Sequence, residues 1–257
     1  MLPQNGRSLL IDSGAFSAWN SGASIDLTEY AEWCLGHLED VDVFVNLDVI
    51  PGRPGHHPSS VEVEESAKRG WKNYHFMVRR GIPPEKLIHV FHQGESWKWL
   101  EMMLDLPYIG LSPANDRSTR DKCLWLERCM EVVTDKEGMP LNKWHGFAVT
   151  SPDLMSRFPW YSVDSATWGM AAVWGKISVY RKEALLLIHV TKPEVLERYR
   201  YLIEPRMELN GISCIEELTG PSPAYRMRWN AAEVQRFVDE NIPIWPWPYK
   251  RKEALLF

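Results

Sequence analysis

Short apolar runs alternate along the chain with longer stretches whose apolar residues recur at every third or fourth position. The first run, SLLIDSG, reads as a strand ending at Asp12. Behind it, DLTEYAEWCLGHL places Leu27, Tyr30, Ala31, Cys34, Leu35 and Leu38 on one helical face, with Asp26 as its N-cap. VDVFVNLDVI is the second strand, and SSVEVEESAKRGWKNYHFMVRRG is a long helix stopping at Gly81. KLIHVFHQG, PYIGLSP and KWHGFAVTS supply strands three to five, separated by the helices SWKWLEMMLD and STRDKCLWLERCMEVVTD. Ser151-Pro152-Asp153 opens a further short helix, WYSVDSATW is a sixth strand and EALLLIHV a seventh.

Strands that alternate with helices pair in parallel, and such strands are apolar on both faces. Six or seven units in about 200 residues predict an α/β fold of the TIM-type (β/α)8 barrel class, with C-terminal helical additions and no zinc subdomain. A doubly wound open sheet is the alternative, but no G-x-G-x-x-G follows the first strand to support a dinucleotide site. TKPEVLERYRYLIE and NAAEVQRFVDEN read as helices, whereas its prolines keep IPIWPWPYKRK out of one. No break in composition marks a second domain. Residues 1–257 are therefore expected to form one domain, with residues 192–257 as an extension packed on it.

Composition narrows the function. The 257 residues are 45% hydrophobic, enough for a substantial core, and carry a net charge of −5. That balance excludes a basic coat protein and leaves room only for a local basic face toward nucleic acid. Thirteen tryptophans supply core and groove walls, and also rings on which bases can stack. Cys34, Cys123, Cys129 and Cys214 are scattered without a C-x-x-C pair, which predicts buried free thiols in a reducing compartment and no metal. No stretch approaches the ~18 apolar residues of a membrane span. The first residues lack the basic, apolar and cleavage pattern of an export signal. A cytoplasmic protein without a membrane partner is expected.

Polar groups recur where the strands end. They are Asp12, Asp48, Gln93-Gly94, Gly110-Leu111-Ser112, a run containing Gly146, and Asp164. On a parallel barrel these ends share a rim, so three carboxylates and an amide would meet at one pocket. Each alone reads as a turn residue, because Asp is common in turns; their recurrence on successive strands favours a site. Carboxylates without an evident metal set suit chemistry at a sugar carbon, one attacking the anomeric centre and another managing the leaving-group proton. An ionised Asp only accepts hydrogen bonds and fits adjacent N–H groups, as on guanine N1 and N2. A Gln amide and a glycine N–H fit the O6 acceptor.

These pieces resemble the tRNA-guanine transglycosylases, and more closely their shorter relatives that insert 7-deazaguanine bases into DNA. DSGAFS is similar to the family's D-S-G-G-F/Y-Q, which implies Asp12 as the carboxylate assisting base exchange, with Ser13 and Gly14 beside the base. NLDVIPG resembles the strand end that supplies the base-reading Asp, here Asp48, and VFHQGES resembles the V-Q-G-G turn, giving Gln93 and Gly94. YIGLSPAND is similar to the G-G-L segment, implying Gly110 and Leu111 as backbone contacts to the base. HGFAVTSPDLMSRFPWYSVDSATW resembles G-V/I-G-T-P-E-D and the strand behind it, which implies Asp164 as the nucleophile. The five motifs keep the family's order over residues 8–170.

The resemblance implies a ping-pong exchange. Asp164 displaces guanine from C1′, and a free 7-deazaguanine such as preQ0 or preQ1 then displaces Asp164, with no cofactor. Departures from the family bear on the polymer: the C-x-C-x-x-C zinc site is missing, Ser165-Ala166-Thr167-Trp168 replaces Pro-Thr-Arg, and Ala15 and Ser17 replace Gly and Gln. They favour DNA as the nucleic-acid partner, with tRNA as the alternative. Lys176, Arg181, Lys182, Arg117 and Arg120 are the candidates for holding phosphates, although each reads first as a solvated surface charge.

Two rivals stay open at this level. A metal-dependent hydrolase would draw ligands from His56, His57, His89, His92 and His145 together with Asp48 and Asp164. His89 and His92 are three apart on a strand and face opposite sides, which counts against that set. A non-catalytic binding protein would use the tryptophan and proline surfaces, with no need for carboxylates at several strand ends.

Overall fold

The computed structural model describes residues 8–149 and 151–251, so Thr150 of the fifth motif lies outside the described residues. In chain order the first elements are β1 (Leu10–Ile11), α1 (Ala15–Ser21), α2 (Leu27–Gly36), β2 (Val43–Val45) and α3 (Ser60–Arg79). Next come β3 (Leu87–His92), α4 (Trp97–Met102), β4 (Tyr108–Ser112), α5 (Thr119–Val133), β5 (Lys143–Gly146) and α6 (Pro152–Arg157). The last are β6 (Ser162–Val163), α7 (Thr167–Val173), β7 (Lys176–Arg181), β8 (Ala184–His189), α8 (Pro193–Ile203), α9 (Ile215–Thr219) and α10 (Ala224–Asn241).

Among the described residues, β1 to β6 form one sheet whose spatial order is the order of the sequence, and the pairs from β1 to β5 are parallel. The sequence reading of an α/β fold built on parallel strands therefore holds, but the closed (β/α)8 barrel does not. β7 and β8 leave the parallel sheet and pair with each other in antiparallel register, Lys176 opposite His189 and Arg181 opposite Ala184. Chain length gives the reason. Only Lys182 and Glu183 separate the two strands, which suffices for a hairpin turn, whereas a parallel partner needs a crossover of a dozen or more residues.

The chain divides into two compact units. Among the described residues, the first comprises 8–147, 160–162 and 248–251; the second comprises 148–149, 151–159 and 163–247. In the first unit, Phe44, Leu87, Ile88, Phe91, Ile109, Leu111 and Trp144 are fully or almost fully buried along the sheet. Continuous burial along β3 and β4 is what strands covered on both faces require. Helix α3 starts at a capping box, in which the Ser59 side chain accepts from the Glu62 N–H and Glu62 returns a bond to the Ser59 N–H. Its buried residues Ser66, Ala67, Gly70, Tyr74 and Met77 form one stripe, and Gly70 admits the edge of His89 on β3. Asp26 caps α2 as expected, accepting from Thr28 and Glu29.

In the second unit the hairpin packs Ile177, Val179, Ile188 and Val190 into a cluster with Leu196, Ile203, Leu218 and Trp229. Residues 192–247 belong to this unit together with 163–191. Helix α10 covers the edge of β7 with polar side chains. Asn230 Oδ1 accepts from the Ser178 N–H at 2.6 Å, and Glu233 Oε2 accepts from the Tyr180 N–H at 2.6 Å. Glu233 is fully buried and also binds Asn210 and Arg236. Among the described residues, no helix is long and apolar enough to cross a membrane.

Candidate functional site at the strand ends

Asp12 follows β1 directly and is exposed. The chain then turns at once into α1. Buried Ser13 accepts the Ala15 N–H on its hydroxyl, and Gly14 takes a left-handed backbone (φ 73°) that a side chain would strain. Ser13 and Gly14 thus build the turn that separates Asp12 from the helix. Asp48 lies just beyond β2, on the neighbouring strand. The two carboxylates share a neighbour, Tyr30 of α2, whose hydroxyl donates to the Val45 carbonyl at 2.7 Å. Burial raises the Tyr30 phenol well above its usual range, and the charges of Cys34, Asp12 and Asp48 push it further, so it stays protonated.

The strongest electrostatic feature is centred on His92, the last residue of β3. Its Nε2 lies 2.9 Å from Asp48 Oδ2 and its Nδ1 lies 3.0 Å from Glu95 Oε1. The side chains are only 22%, 13% and 9% exposed for His92, Asp48 and Glu95. Burial alone would depress the imidazole pKa, but the hydrogen bonds and charges of both carboxylates outweigh it and raise the pKa to about 10. His92 is an imidazolium bridging two carboxylates. His89, three residues earlier, faces α3 instead. Its Nδ1 meets Asn46 Nδ2 at 3.1 Å, and the same Asn46 amide donates to the Gly70 carbonyl. Burial, followed by the charge of His92, lowers the His89 pKa to about 3, so it stays neutral with Nδ1 as acceptor.

Gln93 and Gly94 continue from β3. The Gln93 side-chain oxygen accepts the Ala114 N–H at 3.0 Å, tying the end of β3 to the segment after β4. Both line a cavity of about 1060 Å³ together with Trp97, Arg117, Trp125 and Arg128. Asp48 borders a smaller cavity of about 300 Å³ walled by Ala15, Trp19 and Ile50. Gly110 and Leu111 sit inside β4 between two partner strands, and the Leu111 carbonyl accepts the Phe147 N–H. A Cβ at Gly110 would stand 2.5 Å from the Phe147 ring and 2.9 Å from Ile88, so the glycine admits the ring onto the strand.

In the second unit, exposed Asp164 follows β6 and accepts the Ala148 N–H on Oδ1 at 3.1 Å. Ala148 holds a left-handed backbone (φ 54°), rare for a residue with a side chain. Of the basic candidates, Lys176 opens β7, Arg181 ends it, and Lys182 occupies the hairpin turn with φ 54°. Arg117 and Arg120 are exposed residues of the first unit, at the entrance to α5. The structure thus places Asp12 and Asp48 just past two adjacent strands, gathers Gln93 and Arg117 about the larger cavity, and carries Lys176, Arg181 and Lys182 on the hairpin.

His92 and Glu95 were not among the base-contact candidates read from the sequence. The spacing of His92 and Glu95 is a local signal that could have found half of the cluster; the partner Asp48, distant in sequence, could not be paired by inspection. For the hydrolase rival, both nitrogens of His92 face carboxylate oxygens, the geometry of a donor and not of a metal ligand. His145 donates to or accepts from the Ser162 hydroxyl at 2.7 Å, and His56 and His57 are exposed in the loop before α3. Among the described residues, no three His, Cys, Asp or Glu side chains are arranged to hold a metal ion. No protein-family model matches the chain, and no curated protein is significantly similar to it.

Proposed function

We propose that the protein is a base-exchange transglycosylase that replaces guanine in nucleic acid, DNA in preference to tRNA, by a 7-deazaguanine. The observation that carries this reading is the placement of Asp12 and Asp48 just past the ends of two adjacent parallel strands, with Asp48 hydrogen-bonded to an imidazolium. Ligand sites of parallel α/β folds lie at the carboxyl ends of the strands. A carboxylate anchored as Asp48 is by His92 is suited to accept the N1–H and exocyclic N–H of a guanine edge.

In the exchange, a carboxylate oxygen of Asp164 forms a bond to C1′ as the bond from C1′ to guanine N9 breaks. The electron pair leaves with guanine, which takes up a proton, and a covalent glycosyl-enzyme remains. The incoming 7-deazaguanine loses its N9 proton and attacks C1′, releasing Asp164. Two inversions give net retention. Asp12 is the group proposed to carry the proton at the base. The target nucleotide has to leave its stack to present C1′.

Incubation with labelled guanine and either DNA or tRNA tests this reading. Label is expected in DNA, and Asp164→Asn is expected to abolish both incorporation and any trapped covalent adduct. Incorporation by Asp164→Asn at the wild-type rate would overturn the nucleophile, and no label in either polymer with the wild-type protein would overturn the function.

A further inference from the structure

The geometry points to His92 as a positioning residue that makes Asp48 selective for a base carrying two adjacent N–H donors, as guanine does. This inference rests on the proposed exchange function for its substrate, but its physical basis stands in the cluster itself. The imidazole bridges Asp48 Oδ2 and Glu95 Oε1, so one cation serves two carboxylates in a setting that is largely closed to water.

Three consequences follow from that arrangement. First, a charge-assisted bond fixes the rotation of the Asp48 carboxyl, whose backbone N–H is engaged locally with the Asn46 carbonyl. The oxygen not bonded to His92 is left in a defined direction. Second, the imidazole occupies one oxygen of Asp48, and the other is the one that can meet a ligand. A neutral carboxylic acid would donate one bond and could pair with a ring nitrogen lacking a proton, as in adenine, so discrimination depends on the charge state. Third, the imidazole contacts both carboxylates at once, so the three side chains form one hydrogen-bonded unit. His89 on the same strand is neutral, and Tyr30 of α2, whose hydroxyl donates to the Val45 carbonyl, is held protonated by burial, with the charges of Asp12 and Asp48 adding to that shift.

Without the imidazole, Asp48 loses the partner that fixes the rotation of its carboxyl, and Asp48 and Glu95 lose the bridge between them. His92→Gln is accordingly expected to raise the KM for free guanine about tenfold with a smaller change in kcat, the loss of one hydrogen bond to a charged group. An unchanged KM in a folded His92→Gln protein would overturn the inference.

A readout independent of activity separates this inference from the function beneath it. Nitrogen-15 NMR of the wild-type chain at pH 8 should show His92 with both ring nitrogens protonated. A neutral His92 ring at pH 8 would overturn the clamp even if exchange is robust. A protonated ring in a protein that labels neither DNA nor tRNA would instead retire the guanine assignment and leave the clamp standing.

Discussion

The two units each contain a largely buried carboxylate held by cations and hydrogen bonds, and the two are built for different purposes. Glu233 in the second unit is fully buried; its two oxygens accept from the Tyr180 N–H and Asn210 and pair with Arg236. Every contact it makes closes the structure on itself, because β7 has β8 on one side only and Glu233 and Asn230 satisfy N–H groups on the other. Asp48 in the first unit is 13% exposed, carries one imidazolium on one oxygen, and borders a cavity. A buried acceptor with all of its partners inside the protein is a fastener, whereas one with a partner on one side and an opening on the other can bind. Satisfaction, more than charge, distinguishes the two.

That contrast can be broken experimentally. The largest effect is expected at the fastener: Glu233→Ala orphans two buried donors and an arginine, and should cost about 3–5 kcal/mol in chemical denaturation. Whatever folded protein remains should exchange guanine with unaltered KM. Within the first unit, Gly110→Ala separates packing from binding. The added methyl would overlap the Phe147 ring, and a loss of about 1–3 kcal/mol is expected from overpacking, read as a lowered urea midpoint. A midpoint equal to the wild type would mean that Phe147 moves freely away from the strand.

Acid titration sharpens the comparison within a single strand. His89 has a folded pKa of about 3 against an ordinary value of 6.5, so the stability it contributes is present above pH 6.5 and is lost as the pH falls toward 3. His92 runs the other way: its folded pKa of about 10 makes its contribution complete below pH 6.5 and lost as the pH rises through 10. Urea midpoints should therefore decline on both sides, with His89→Gln flattening the acid limb and His92→Gln the alkaline one. The smallest effect is set far from either cluster. Ser59→Ala removes the side-chain half of the α3 capping box and should cost about 1 kcal/mol in urea denaturation at neutral pH.

Much of the first unit was legible in the residues. Apolar runs such as LIHVFH and YIGLS can be stable only when covered on both faces, and they became β3 and β4. The caps Asp26 and Ser118 mark the starts of α2 and α5 through side-chain oxygens that accept local N–H groups, and in the second unit Ser151 does the same for α6. The hairpin was not legible. KISVYR interleaves Lys176, Ser178 and Arg181 with apolar residues, a pattern for a strand with one polar edge, and its turn Lys182-Glu183 lacks the Gly or Asn that usually announces a hairpin. Helix α1 escaped because Ala15–Ser21 is two turns long and follows Asp12 without a polar cap. At the site, Asp12, Asp48 and Gln93 could be read from their positions at strand ends. The electrostatic character of His92 could not, since it depends on Asp48 arriving from another strand.

The order of the parallel sheet bears on how the chain finds this structure. From β1 to β6 each strand lies beside the one that precedes it in the sequence, so no strand has to wait for a distant segment before it can pair. Assembly can proceed from the amino terminus as the chain emerges, each helix closing over a strand pair already made. Asp12 and Asp48 would come together with the first two strands. The imidazolium arrives with the third, and until β3 docks the Asp48 carboxylate stands in water without its counter-ion.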